Sequence, residues 1–226
     1  MRIEKENIKI ITNRKKYTEK VNYDFNYIMD LIIHVGNKLM PDKYDSFGKK
    51  IEFEINEANK NFYEQMVYYF FNDEKFNGNL ASGLHVHGGK GTGKTMFANI
   101  FRNLSYNRII TTGKGFNMQY CDALASEYES KGAIVLQKYY SSNYLFDDLG
   151  TENIKANHYQ NIRNTMKEIL STRYRLFIDE GLLTYITSNY TQELLASEEK
   201  GYGIRVEDRF NEMFNDIKLT GASMRR

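Results

Sequence analysis

Residues 84–95 read Leu84-His85-Val86-His87-Gly88-Gly89-Lys90-Gly91-Thr92-Gly93-Lys94-Thr95: a short strand-like run, a glycine-rich loop, and the opening of a helical pattern. Residues 88–95 satisfy G-x-x-x-x-G-K-[ST] in the context that the pattern requires, directly after a strand and at the start of a helix. Glycine is needed at Gly88, Gly91 and Gly93 because the backbone must curl around an anion with its N–H groups inward, where a side chain would obstruct. The helix start adds its positive dipole end, Lys94 a mobile cation, and the Thr95 hydroxyl a hard oxygen ligand for Mg²⁺. Gly88 through Thr95 are therefore expected to hold the phosphates of a nucleotide, with ATP and Mg²⁺ as the implied ligands. His85 and His87 flank the loop with no Cys or carboxylate cluster in the sequence beside them, so they read as strand residues rather than metal ligands.

Outward from this loop, short apolar strands alternate with helical periodicity, the pattern of a parallel sheet with crossover helices. The spacing predicts strands over 84–88, 108–112, 143–147, 182–188 and 217–219. Helices are predicted over 94–104, 118–130, 156–175 and 204–214. Upstream, Phe25, Ile28, Met29, Ile32 and Ile33 predict a helix over 24–40, with Asp24 as N-cap and Pro41 as the stop; a second helix is predicted over 56–72. The expectation is an α/β fold with a five-stranded parallel P-loop sheet. Residues 1–55 would form a small helical, partner-binding segment and 56–226 the nucleotide-binding domain.

Phosphoryl chemistry on such a loop needs a carboxylate at the end of a neighbouring strand to hold Mg²⁺, often followed by a second that polarises water. Two segments qualify, Tyr144–Gly150 and Leu176–Gly181. Residues 182–188 form a strand of their own, so a strand at 176–180 would force a tight antiparallel hairpin into a parallel sheet. Residues 176–180 are better read as the end of the preceding helix. Asp147 is thus assigned to Mg²⁺ and Asp148 to water activation. Asp148 is one methylene shorter than a glutamate, which predicts weak intrinsic hydrolysis. Asn189, ending the next strand, lies at the same sheet edge and can hold the attacking water or the γ-phosphate. Arg205 and Arg209 stand i,i+4 on one helix face, from which both could project toward the nucleotide of a neighbouring copy or form surface ion pairs with Glu207, Asp208 or Glu212.

With GGKGTGKT, LFDDLGTE, ITSN, YGIRVEDRF and LTGASMR in this order, the chain resembles the DnaC/IstB-like branch of AAA+ ATPases, over roughly residues 55–226. The resemblance implies that Lys94 and Thr95 are Walker A residues, Asp147 and Asp148 the Walker B pair, and Asn189 sensor 1. It further implies Arg209 as a trans-acting finger with Arg205 beside it, and Arg225 at a sensor 2-like position. The implied activity is ATP hydrolysis in an oligomer held through the arginine finger, with a replicative helicase and single-stranded DNA as partners. An IstB-like transposition helper acting on duplex DNA and a transposase is the alternative within the fold. A small-molecule kinase would leave Asn189 and the arginine helix without roles, and a nucleotide-binding interaction module with little turnover is a further class.

Composition sets the frame. The 226 residues, with 31 Lys+Arg against 29 Asp+Glu, carry a net charge of +2, so no bulk positive field marks a nucleic-acid coat. The basic charge is local: seven basic side chains and three acidic ones stand in residues 1–20, a local +4. The single Cys121 leaves no internal disulfide framework, and Glu4 and Glu6 stand where a signal peptide needs a basic start and an apolar run, so a cytoplasmic setting is expected. No apolar run is long enough to span a membrane. The resemblance further implies that residues 111–142 correspond to where loaders and initiators modify the fold to grip single-stranded DNA, and Lys114, Phe116, Lys131, Lys138 and Tyr139 offer charge and stacking surfaces there. The chain ends seven residues after the last predicted strand, which points to the branch without a helical lid.

Overall fold

In the computed structural model the described residues are 19–42, 44, 47–159, 161–197, 202 and 204–221. The basic stretch 1–18 lies outside them. Along the chain run α1 (Phe25–Leu39), α2 (Lys60–Phe70), β1 (Gly83–His87), α3 (Lys94–Tyr106), β2 (Asn117–Tyr120) and α4 (Cys121–Lys131). A 3-10 segment (Gly132–Tyr140) leads to β3 (Tyr144–Leu149), β4 (Ala156–His158), β5 (Asn161–Arg163) and α5 (Thr165–Glu180). The chain continues through β6 (Thr184–Ser188), α6 (Gln192–Ala196), α7 (Ile204–Met213) and β7 (Phe214–Lys218).

Five of these strands form one parallel sheet in the order β2-β3-β6-β1-β7. Of its three inner strands, β1 and β6 are buried at every position and β3 at four of six, as expected of strands covered on both faces. Strand alternation sends neighbours to opposite faces. Leu84, Val86, Leu145 and Tyr185 join a core with α1, α2 and α3, built on Phe62, Phe70, Phe97 and Phe101. Phe146 and Ile186 join a second core with α4, α5 and α7, built on Tyr128, Ile169, Phe177 and Phe210. Helix α1 starts at the expected cap, the Asp24 carboxylate accepting from the Tyr27 N–H at 3.1 Å. Its Ile28 and Ile32, with Phe53, belong to the first core. A Cβ at Gly36 would stand 2.3 Å from the Phe53 ring, so only glycine lets that ring close on α1.

Four predicted elements are displaced. Residues 108–112 are no strand: α3 ends at Tyr106, Arg108 turns the chain at φ +56, and Ile110 is buried as a loop residue. The second strand is instead Asn117–Tyr120, paired with β3, and the following helix starts at Cys121 rather than Met118. The helix predicted over 156–175 begins only at Thr165, where the Asn164 side chain accepts from the Lys167 N–H. Residues 156–163 before it form the antiparallel hairpin β4-β5. As read from the spacing, 176–180 do end α5, closed by Gly181 in the left-handed region at φ +70. Strand β7 starts at Phe214, three residues before its predicted start.

Candidate functional site

The loop after β1 must pass under the end of β7. A Cβ on Gly88 would lie 2.3 Å from the Leu219 carbonyl oxygen, a clash with backbone that cannot move aside. Gly93 caps α3 at φ +100, a conformation that a side chain would strain. The turn is pinned by the Thr92 hydroxyl, which donates to the Gly89 carbonyl at 3.0 Å. Lys94 is buried and folds back across the loop. Its Nζ donates to the carbonyls of Gly88 and Gly89, each at 2.8 Å, and to Asn189 Oδ1 at 2.9 Å. Lys94 and Asn189, far apart in sequence, thus meet at the carboxyl edge of the sheet.

One residue further along α3, the Thr95 hydroxyl donates to Asp147 Oδ2 at 2.9 Å. The other carboxylate oxygen accepts from the Thr187 hydroxyl on β6. Asp147 is fully buried; burial pushes its carboxyl above the ordinary aspartate range, while the two hydroxyls and the Lys94 charge pull it partly back. Strict strand alternation would turn Asp148 to the face opposite Asp147. A bulge prevents this. The β3-β6 register runs Phe146↔Ile186, then Leu149↔Ser188, so two residues of β3 face one of β6, and Asp148 takes the left-handed region at φ +60. Its N–H donates to Thr187 Oγ1 at 3.0 Å. Asp148 is thereby turned to the site whose Thr95 donates to the buried Asp147 behind it.

That site is a cavity of about 460 Å³. Lys90, Gly91, Gly93, Lys94, Thr95, Asp148, Thr151 and Asn189 form its polar wall; Met40, Pro41, Ile51 and Met96 form an apolar one. The apolar wall comes largely from the segment after α1, which sequence reasoning read as a helix stop rather than as part of the site. Thr187 was likewise missed, since a threonine in a strand reads as a β-former. The donor set suits Mg²⁺: a hydroxyl and a carboxylate, hard oxygens held 2.9 Å apart, beside a lysine that complements phosphate.

The arginines lie elsewhere. Arg209 on α7 is half-buried, its guanidinium donating to Ser171 Oγ on α5 at 3.2 Å and lying 5.1 Å from the Tyr174 ring centre, and it does not line the cavity. Arg205 occupies α7, but its side chain lies outside the described residues, as does Arg225 altogether. The DNA-contact set is corrected for three of its five members. Lys114, Phe116 and Tyr139 are buried, with Lys114 donating to the Tyr69 carbonyl at 2.8 Å, so none offers a surface. Lys131 and Lys138 are exposed, and both pair with Glu127. His85 and His87 face the carboxylate of Asp216 on β7, at 2.7 and 3.3 Å. Among the described residues no cluster of three or more potential ligands marks a metal centre, and no helix is long and apolar enough to cross a membrane.

A parallel sheet of this order, with a glycine loop after β1, an acidic pair in β3 and an asparagine directly after β6, is a P-loop α/β architecture. No protein-family model and no curated protein matches the sequence. Solved structures do match. The chain is similar to the structure of DnaI, with a TM-score of 0.52 and 21% identity, over 77% of this chain and 88% of that one. It is similar to the DnaC helicase loader, with a TM-score of 0.51 and 20% identity, over 74% and 93%. A third likeness is to AMPPCP-bound DnaA from Aquifex aeolicus, with a TM-score of 0.50 and 20% identity, over 74% and 48%. The fold is thus one shared with the structures of DnaI and the DnaC helicase loader.

Proposed function

We propose that this chain is an ATP- and Mg²⁺-dependent ATPase of the DnaC/IstB-like kind that assembles with copies of itself and loads or remodels a replicative helicase on single-stranded DNA. The observation that carries the ATPase reading is the pairing of Lys94 with Asn189 and of Thr95 with Asp147, across three separate segments, by hydrogen bonds of 2.9 Å beside one cavity. The loader reading is supported by the fold shared with DnaI and the DnaC helicase loader.

The residues divide the work. The glycine loop offers backbone N–H groups to phosphate oxygens, and Lys94 exchanges its carbonyl partners for phosphate. Thr95 and Asp147 would hold Mg²⁺, which when bound neutralises charge on the β- and γ-phosphates. Asp148, aimed into the cavity by the bulge, orients a water and accepts its proton, and Asn189 steadies the γ-phosphate side. Met40, Pro41 and Ile51 give the purine an apolar wall. Arg209, on α7 and away from its own cavity, serves the nucleotide of a neighbouring copy, where its charge offsets that of the transition state.

ATP turnover measured alone and with single-stranded DNA, duplex DNA and helicase tests the reading. Stimulation by single-stranded DNA or helicase is expected; phosphate transfer to a nucleoside or metabolite would sink it. Arg209→Ala is expected to bind ATP with unchanged affinity and to lose assembly-stimulated hydrolysis by about 10³-fold or more.

A further inference from the structure

Four residues beyond Asp148, the buried side chain of Glu152 joins two segments far apart in sequence. Its Oε2 accepts the Gly150 N–H at 2.7 Å, closing the loop that carries Asp148 into the cavity. Its Oε1 accepts the hydroxyl of Tyr202, itself fully buried, two residues before α7 begins. The loop between the two carboxylates is tightly built. Thr151 donates its hydroxyl to the Asp148 carbonyl at 2.7 Å, and a Cβ on Gly150 would stand 2.9 Å from the ring of Tyr190, next to Asn189. Thr151 also lines the cavity. A displacement of the cavity rim at Asp148–Thr151 therefore has a short hydrogen-bonded path to Tyr202, and from there to the helix bearing Arg205 and Arg209.

Burying a carboxylate is costly unless its oxygens are satisfied, and an apolar pair of similar volume would serve packing alone at least as well. Burial does push the Glu152 carboxyl up, against the backbone N–H bonds that pull it down. What the pair adds is direction: a hydroxyl on one segment aimed at an acceptor fixed to the other.

Resting on the ATPase reading above, we propose that Glu152 and Tyr202 are positioning residues that couple the nucleotide state of a subunit's own cavity to the placement of its α7 arginines. Under this coupling a subunit presents its arginines to the neighbour only when its own site is filled. Occupancy then passes from one subunit to the next in one direction around an assembly.

The test uses Tyr202→Phe, which removes only the hydroxyl and keeps the ring in the core, and Glu152→Gln, which can accept from Gly150 N–H and donate to the tyrosine oxygen. Amide hydrogen exchange of residues 204–213 is followed in the full chain, dilute enough to be monomeric, with and without AMPPCP and Mg²⁺. In the unaltered chain nucleotide is expected to slow α7 exchange about tenfold, the equilibrium shift of one good hydrogen bond. Tyr202→Phe should keep AMPPCP affinity within about twofold and lose the slowing, whereas Glu152→Gln should retain most of it. Unchanged α7 exchange on nucleotide binding, or equal slowing in Tyr202→Phe, overturns the coupling alone. No AMPPCP binding by the unaltered chain overturns the ATPase reading and the coupling together.

Discussion

Replacing Lys114 by methionine separates two accounts of the same residue: a cation offered to DNA, and an amine sealed in the core. Lys114 is fully buried, its Nζ 2.8 Å from the Tyr69 carbonyl and 3.9 Å from the centre of the Tyr69 ring. Burial pushes its pKa down from 10.5 to about 7. The sign follows from linkage. Between about pH 7 and 10.5 the unfolded chain holds this proton and the folded chain does not, so the unaltered protein gains stability as pH rises through that window. At pH 7.5 the gap of about 3 units corresponds to a ceiling of about 4 kcal/mol held against folding, at 1.36 kcal/mol per unit. Methionine has similar volume and no charge, and it forfeits one hydrogen bond worth about 1 kcal/mol. Lys114→Met is therefore expected to stabilise the fold by about 2 kcal/mol at pH 7.5, with the gain shrinking to nothing near pH 10. Urea unfolding of both proteins at pH 7.5, 8.5 and 10 measures this. A variant less stable at pH 7.5, or a difference that ignores pH, would refute the reasoning, and any loss of single-stranded DNA affinity would return Lys114 to the surface.

Asp147→Asn is expected to reduce Mg²⁺-dependent hydrolysis by about 100-fold or more, since a direct ligand is lost. Because burial raises the Asp147 pKa, the folded state holds its proton to higher pH than the unfolded one, and stability falls as pH rises through that range. The variant should therefore melt a few degrees higher without nucleotide at pH 7.5, and lower pH should erase the difference. Asp148→Asn should keep the melting temperature and lose about 100-fold in turnover, whereas Asp148→Glu should melt roughly 2–4 °C lower, because glutamate tolerates φ +60 less well than aspartate. Arg173, fully buried, donates to the carbonyls of Tyr139, Ser142 and Leu183 and to the Thr184 hydroxyl. Arg173→Leu strands these acceptors and should cost about 3 kcal/mol or more by urea unfolding.

What the sequence disclosed tracks how local the cause is. The glycine loop was legible because one octapeptide carries both the curvature and the charge. The parallel order was legible because apolar runs alternate with helical spacing. The second strand was not. Ile109 and Ile110 have the composition of a strand, yet the positive φ at Arg108 sends them into the core as a loop, and nothing in an arginine announces that conformation. The true strand, Asn117–Tyr120, is polar and half-exposed at the sheet edge, with only β3 to pair with, so it lacks the apolar signal of an inner strand. The hairpin at 156–163 has strands of three residues each, too short for any period to register. Met40, Pro41 and Ile51 were invisible as site residues for a different reason: their place at the cavity comes from α1 packing, a contact between distant segments.

The acidic pair shows how two motifs far apart in sequence make one device. Asp147 and Asp148 are adjacent, and in a regular strand adjacent side chains diverge. That alternation is broken because β3 bulges, and the bulge is held by β6. The Thr187 hydroxyl donates to Asp147 and accepts from the Asp148 N–H, while the Ser188 hydroxyl donates to the Leu149 carbonyl at 2.7 Å. One oxygen therefore sets both the side chain of the first acid and the backbone of the second. Valine would match threonine in shape and strand preference yet supply neither bond. The same bulge places residue 148 in the left-handed region, which aspartate accepts more readily than longer side chains. The short acid at this position, first read as a source of weak hydrolysis, is thus also the acid that the backbone favours. The Thr187-Ser188-Asn189 run on β6 shapes the bulge with its first two residues and meets Lys94 with its third, so the geometry of the acidic pair and the position of the loop lysine are set from one strand end.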